Sequence, residues 1–175
     1  MAVTLVLGGA RSGKSDYGEK LVAGMSARPV CLATAEAGDD EMARRIAEHR
    51  ARRGPAWRLI EEPVDIAEVI AAAEAGSALL VDCLTLWLSN LMARERDIAS
   101  ATGGLVAALG EARVEVVLVA NEVGLSIVPE NALARRFRDE AGRLNQAVAS
   151  AADDVVFMVA GLPLPLKRDG RPVHE

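Results

Sequence analysis

Five short apolar runs, at 3–7, 29–33, 78–81, 114–120 and 155–160, punctuate the chain, and none alternates strictly with polar residues. Uninterrupted runs of this kind suit strands covered on both faces, as in a parallel sheet layered between helices. Between them lie stretches of helical composition or spacing at 14–25, 39–53, 64–75, 84–94, 98–111 and 131–151. Strand and helix therefore alternate, which predicts crossover connections and an α/β architecture with a mostly parallel sheet flanked by helices. The stretch 162–175 carries Pro163, Pro165 and Pro172 among several charges and is expected to wrap the surface or fray.

Composition adds bounds to this picture. At 175 residues and 51% hydrophobic, the chain has material for one domain with a buried core, and no repeat, low-complexity tract or flexible linker divides 1–175. A net charge of -5 lacks the basic footprint of a nucleic-acid binder, and two Trp, one Tyr and two Phe are too few for a base-stacking surface. Cys31 and Cys83 are far apart, lack CxxC spacing and lie in apolar runs, so a disulfide framework or zinc site is not expected and a reducing, cytoplasmic setting is. No apolar run approaches the roughly 20 residues that span a bilayer, and no basic leader precedes the first glycines, so membrane insertion and secretion are disfavoured.

The first apolar run ends in Gly8-Gly9-Ala10-Arg11-Ser12-Gly13-Lys14-Ser15, which satisfies GxxxxGK[ST] between a strand and a helix start. The glycines let backbone N–H groups curl around phosphate oxygens, and the helix N-terminus adds partial positive charge. Lys14 reaches the β- and γ-phosphates and Ser15 can ligate Mg²⁺. A fortuitous glycine turn is disfavoured by the strand and helix on either side. Asp82 follows a buried run and so stands at a strand's C-terminal end, where such folds place the acid that helps hold the metal. An equally local role is N-cap of the helix that follows, and the two roles can coexist.

Two histidines occur, His49 and His174, the second one residue from the end. Met42, Ile46 and His49 follow i, i+4, i+7 spacing, while Glu41, Arg45, Glu48 and Arg52 form a charged stripe suited to a solvated face. On spacing alone, a hydrogen-bonded, partly buried histidine is the simpler reading. Arg53, at i+4 from His49, places a guanidinium within reach of the imidazole and disfavours its protonation. A neutral ring nitrogen is a competent nucleophile toward phosphorus, and Arg50, Arg52 and Arg53 form a local basic cluster that suits phosphate or, more simply, decorates a helix surface.

Together these blocks resemble the bifunctional adenosylcobinamide kinase and adenosylcobinamide-phosphate guanylyltransferase family of cobalamin biosynthesis. The resemblance is carried by the phosphate loop, Ala33-Thr34-Ala35-Glu36, Asp39-Asp40-Glu41-Met42, Arg45-Ile46-Ala47-Glu48-His49-Arg50, the segment 57–63, Asn121-Glu122-Val123-Gly124 and Val128-Pro129-Glu130-Asn131, in the family's order over nearly the whole chain. It implies a RecA-like P-loop NTPase fold. It also implies phosphorylation of adenosylcobinamide from ATP or GTP, then transfer of GMP from GTP through a guanylylated histidine to give adenosyl-GDP-cobinamide and pyrophosphate. His49 holds the position of that histidine. By the same carry-over Gly8, Gly9, Ala10, Arg11, Ser12, Gly13, Lys14, Ser15, Thr34, Ala35, Glu36, Arg50, Ala51, Arg52, Arg53, Glu61 and Asp82 match nucleotide-binding segments. Ser15 and Asp82 would serve Mg²⁺, and a homo-oligomer, a trimer, is implied. The proline-rich tail departs from the family pattern, and the corrinoid contacts are not indicated.

Glu122 ends a strand that should face the same crevice as Asp82 and is open to two readings: action on the substrate hydroxyl, or a hydrogen bond within its own turn. Trp57 and Trp87 are read as core or subunit-contact residues. A GTPase switch would need NKxD and a DxxG after the metal strand. Asp139-Glu140-Ala141-Gly142 spells DxxG, but it falls in a helix whose apolar side carries Leu133, Phe137, Leu144 and Val148. A P-loop small-metabolite kinase without the transferase step is the alternative that remains, with His49 then structural.

Overall fold

In a computed structural model, which describes residues 1–36, 44 and 53–173, eight strands join one sheet in the order β3-β2-β4-β5-β1-β6-β7-β8. β1 (Val3–Gly8), β2 (Pro29–Ala33), β3 (Arg58–Glu61), β4 (Ala78–Asp82), β5 (Glu115–Asn121) and β6 (Asp154–Val159) run parallel. β7 (Leu162–Arg168) and β8 (Arg171–Pro172) are antiparallel additions at one edge. The described helices are α1 (Lys14–Met25), α2 (Ile66–Ala71), α3 (Leu84–Ala93), α4 (Ile98–Gly110) and α5 (Ala132–Ala151).

The non-alternating runs have the burial they imply. In β1, Val3, Leu5 and Leu7 face a large cluster with Trp87, Leu88, Leu105 and Leu144, whereas Val6 faces a second cluster with Val22, Leu80 and Val117. Both faces of the central strands are thereby removed from water, which is why polar residues are few there: Thr4 inside β1, and Asp82, Glu115 and Asn121 at the ends of β4 and β5. Joined there by Leu86 from the first turn of α3, α1 packs against the second cluster through Tyr17, Leu21 and Val22. Its Gly18 allows close approach, since a Cβ there would stand 3.1 Å from Leu80 and 3.2 Å from Val119. Trp87 is core, as read, and its indole N–H donates to the Val64 carbonyl at 2.6 Å. Trp57 packs at the margin of the second cluster. Asp139 and Gly142 lie inside α5, so their DxxG is a helix segment.

Three expectations require correction. The helix expected over 64–75 is shorter, Ile66–Ala71, because Glu74 to Ser77 turn on the left-handed Gly76. β3 was not expected. Through residue 173 the tail neither wraps nor frays: Ala160-Gly161 and Asp169-Gly170, each with positive φ at both residues, make two-residue turns of the type that matches strand twist. Lys167 secures the resulting hairpin by donating to the Ala149, Ser150 and Ala152 carbonyls at the end of α5. Of the expected helix over 39–53, only positions 44 and 53 belong to the described residues.

Candidate active site

The parallel register brings the C-terminal ends of the strands to one edge. Gly8 pairs with Asn121 and Met158, Ala33 with Asp82 and Glu61, and Asp82 with Val119. A crevice at this edge is where open α/β sheets bind ligands. The phosphate loop leaves β1 here. Arg11 (φ 55) and Gly13 (φ 93) adopt left-handed conformations that fold the loop back, and Gly13 caps α1. The loop's backbone is held from two sides. Ser12 N–H donates to the Gly9 carbonyl at 3.4 Å, and Gly161 N–H, in the β6–β7 turn, donates to the Ser12 carbonyl at 3.1 Å.

Lys14 is buried, its ammonium donating to the Gly9 carbonyl at 2.7 Å. Burial pulls its pKa below the ordinary lysine value, while neighbouring Cys83 and Asp82 act in the opposite sense. The Ser12 hydroxyl is buried and has no hydrogen-bond partner among the described residues. A phosphate oxygen in the loop would satisfy it, so this donor fits the nucleotide that the motif implies.

Asp82 is the last residue of β4, and the N-cap of α3 is Cys83, with no side-chain cap bond. The capping alternative for Asp82 is thus not adopted. Its Oδ1 stands 3.5 Å from Ser15 Oγ, although β5 lies between their strands in the sheet. Two hard oxygen donors converging beside a phosphate loop suit Mg²⁺, which takes few protein ligands and completes its octahedron with phosphates and water. Asp82 Oδ2 accepts from Arg53 Nη2 at 2.7 Å, and Arg53 Nε donates to Glu19 Oε1, also at 2.7 Å. Arg53 thereby sits between two carboxylates in a nearly dry site.

The other sequence-selected residues fall as follows. Thr34 is fully buried and its hydroxyl both donates to the Cys83 carbonyl (2.7 Å) and accepts from Cys83 N–H (2.9 Å), tying the end of β2 to the end of β4. Ala35 follows it, and Glu36 pairs with Arg94 on the surface. Glu61 ends β3 at the same sheet edge. Ala10 and Arg11 are exposed on the loop. Glu122 accepts from Gly124 N–H, so the turn reading holds for that carboxylate. His49, Arg50, Ala51, Arg52 and His174 lie outside the described residues. Glu19 and Gly161 were not selected from sequence. Glu19, one turn after Ser15 on α1, bears no motif, whereas Gly161 belongs to a hairpin that the prolines disguised.

A phosphate loop and an opposing acid on such a sheet edge define a RecA-like P-loop nucleotide-binding protein. Solved structures of that architecture agree at the level of fold. Flagellar accessory protein FlaH from Methanocaldococcus jannaschii superposes with a TM-score of 0.54 at 11% identity, over 96% of this chain and 79% of that one. A prototypical ATPase of the type III secretion system of pathogenic bacteria gives 0.54 at 16% identity, over 89% and 50%.

Sequence comparison narrows the class. Residues 4–166 match the family described as cobinamide kinase / cobinamide phosphate guanyltransferase, and the chain belongs to that family. It is 51% identical to the bifunctional adenosylcobalamin biosynthesis protein CobP of Pseudomonas aeruginosa, over 97% of this chain and 98% of that protein. It is 41% identical to the bifunctional adenosylcobalamin biosynthesis protein CobU of Escherichia coli K12, over 93% and 98%. The chain is accordingly a nucleotide-using transferase of cobalamin biosynthesis with two activities, cobinamide kinase and cobinamide phosphate guanylyltransferase. No described helix is long and apolar enough to cross a membrane.

Proposed function

We propose that both activities act on adenosylated cobinamide and share one phosphate loop, with His49 as the covalent carrier of GMP. In the kinase step the substrate hydroxyl attacks the γ-phosphorus of ATP or GTP, and the nucleoside diphosphate leaves. The N–H groups of Gly8 to Ser15 hold the phosphates, and Lys14 carries positive charge to the β/γ bridge. Mg²⁺, held by Ser15 and Asp82, would neutralise charge developing on the phosphate oxygens. In the transfer step a ring nitrogen of His49 attacks the α-phosphorus of GTP. The new N–P bond replaces the bond to pyrophosphate, which leaves. A phosphate oxygen of adenosylcobinamide phosphate then attacks the same phosphorus, breaks the N–P bond and yields adenosyl-GDP-cobinamide. Two in-line displacements retain configuration at that phosphorus.

Arg50, Ala51, Arg52 and Arg53 after the histidine, with Thr34, Ala35, Glu36 and Glu61, complete the nucleotide surface in this reading. The protein works as one domain over 1–175, as a homotrimer in the cytoplasm, with no nucleic acid or membrane partner. The observation that supports it best is the approach of Ser15 Oγ to Asp82 Oδ1 at 3.5 Å beside the buried Lys14.

The test is incubation with α-phosphate-labelled GTP and Mg²⁺, followed by acid and by alkali. Label lost in acid and kept in alkali marks a phosphoramidate. His49→Ala abolishes labelling and guanylyl transfer while cobinamide phosphorylation survives. An unlabelled wild-type protein would favour a plain kinase, and loss of both activities in a folded His49→Ala protein would end the division of roles.

A further inference from the structure

Glu19 takes no part in the phosphate-loop motif, yet it is a buried carboxylate on the helix that the loop starts, one turn beyond Ser15. It meets Arg53 at 2.7 Å, and the same guanidinium meets Asp82 Oδ2 at 2.7 Å, with side-chain exposures of 10%, 6% and 13% for Glu19, Arg53 and Asp82. The other oxygen of Asp82 faces Ser15 at 3.5 Å. One carboxylate therefore serves two directions, Ser15 through Oδ1 and Arg53 through Oδ2.

Charge makes this arrangement consequential. A guanidinium on Asp82 alone would neutralise the acid that a cation must share, and in so dry a place water screens little of that effect. Glu19 takes the Nε side of the fork, so Arg53 divides its charge between two acids and Asp82 keeps negative charge for a metal. The two bonds approach the planar guanidinium from different nitrogens and so fix its orientation, which in turn fixes that of the carboxylate. Groups that orient metal ligands from behind in this way typically change metal affinity by roughly 10–100-fold when altered.

We infer that Glu19 is a positioning residue for the metal site: through Arg53 it orients Asp82 and keeps it competent to bind Mg²⁺. The inference rests on the reading of Ser15 and Asp82 as the magnesium ligands.

The experiment titrates Mg²⁺ into the full-length protein with a fluorescent GTP analogue and reads the Mg²⁺ concentration that half-completes the metal-dependent binding signal. Thermal melting is followed in parallel. Glu19→Gln keeps size and one acceptor oxygen and is expected to raise that concentration about 10-fold. Its affinity for the nucleotide in excess chelator should stay unchanged. Glu19→Asp restores part of the loss. In an Arg53→Ala background, Glu19→Gln shifts the midpoint less than 2-fold, because Glu19 acts through Arg53; the matched pair also remains informative if either single variant is less stable. An unchanged midpoint in Glu19→Gln, or an equal shift with and without Arg53, overturns the inference. The magnesium reading fails separately, and this inference with it, if the wild-type signal is independent of Mg²⁺ or Asp82→Asn leaves it intact.

Discussion

Gly8→Ala probes the joint between the sheet and the phosphate loop. A Cβ at Gly8 would stand 2.5 Å from Ser12 Oγ, 2.9 Å from the Met158 carbonyl oxygen and 3.1 Å from Met158 Cβ. The serine hydroxyl can rotate away. The carbonyl cannot, because it belongs to β6, which is paired with β1 along its length. Reaching ordinary contact requires β1 and β6 to part by about 0.5 Å at this point, an overpacking that costs roughly 1–3 kcal/mol. For a chain of this size 2 kcal/mol corresponds to a fall in Tm of about 4–8 °C. The displaced Ser12 should also weaken nucleotide binding by about 10-fold, equivalent to ~1.4 kcal/mol. Gly9→Ala is the control, since a Cβ there meets nothing within 4 Å, and its stability should stay within about 0.5 kcal/mol of wild type. Calorimetric melting and binding of a fluorescent nucleotide check both variants. A Gly8→Ala protein with wild-type Tm and affinity would refute the steric reasoning.

Two further outcomes follow from the geometry. Gly161→Ala places a side chain at φ 80 in the β6–β7 turn, at a cost of about 1–2 kcal/mol, and should weaken nucleotide binding as well as lower Tm, because this residue's N–H holds the Ser12 carbonyl. Burial pushes the thiols of Cys83 up to about 11 and of Cys31 up to about 12. At pH 8 a disulfide reagent should therefore modify the native protein at least about 100-fold more slowly than the denatured one. The sign for stability follows: the folded thiols keep protons that the unfolded ones release, so this contribution is present below pH 9 and declines as pH rises toward 11–12, read by denaturant melts across that window.

The central strands and the phosphate loop were legible because both rest on local patterns: apolar runs without alternation, and a glycine motif in a fixed place between strand and helix. Asp82 was legible for the same reason, as the acid that ends a buried run. β3 was not, since Arg-Leu-Ile-Glu at 58–61 has two apolar residues between two charges and resembles an edge strand only once β2 is beside it. The C-terminal hairpin was concealed by Pro163 and Pro165, which lack the N–H groups expected of a strand. Asp169-Gly170 was nonetheless a usable hairpin signal. Glu19 could not have been found at all. Its partner is 34 positions away in the chain, and no spacing rule joins an acid on the first helix to an arginine that distant.

The neighbours of β1 have a consequence for how the molecule comes into being. Residues 3–8 are synthesised well before the two strands that flank them, 115–121 and 154–159, and the turn that steadies Ser12 comes later still, at Gly161. Local contacts cannot complete this loop, so ATP and GTP in the cell have no finished cradle to enter until synthesis has passed Gly161. During that interval the nascent N-terminal strand, six residues that end up buried, is an exposed apolar segment in search of a partner. It is therefore the place where a holdase chaperone would do most to protect a growing chain.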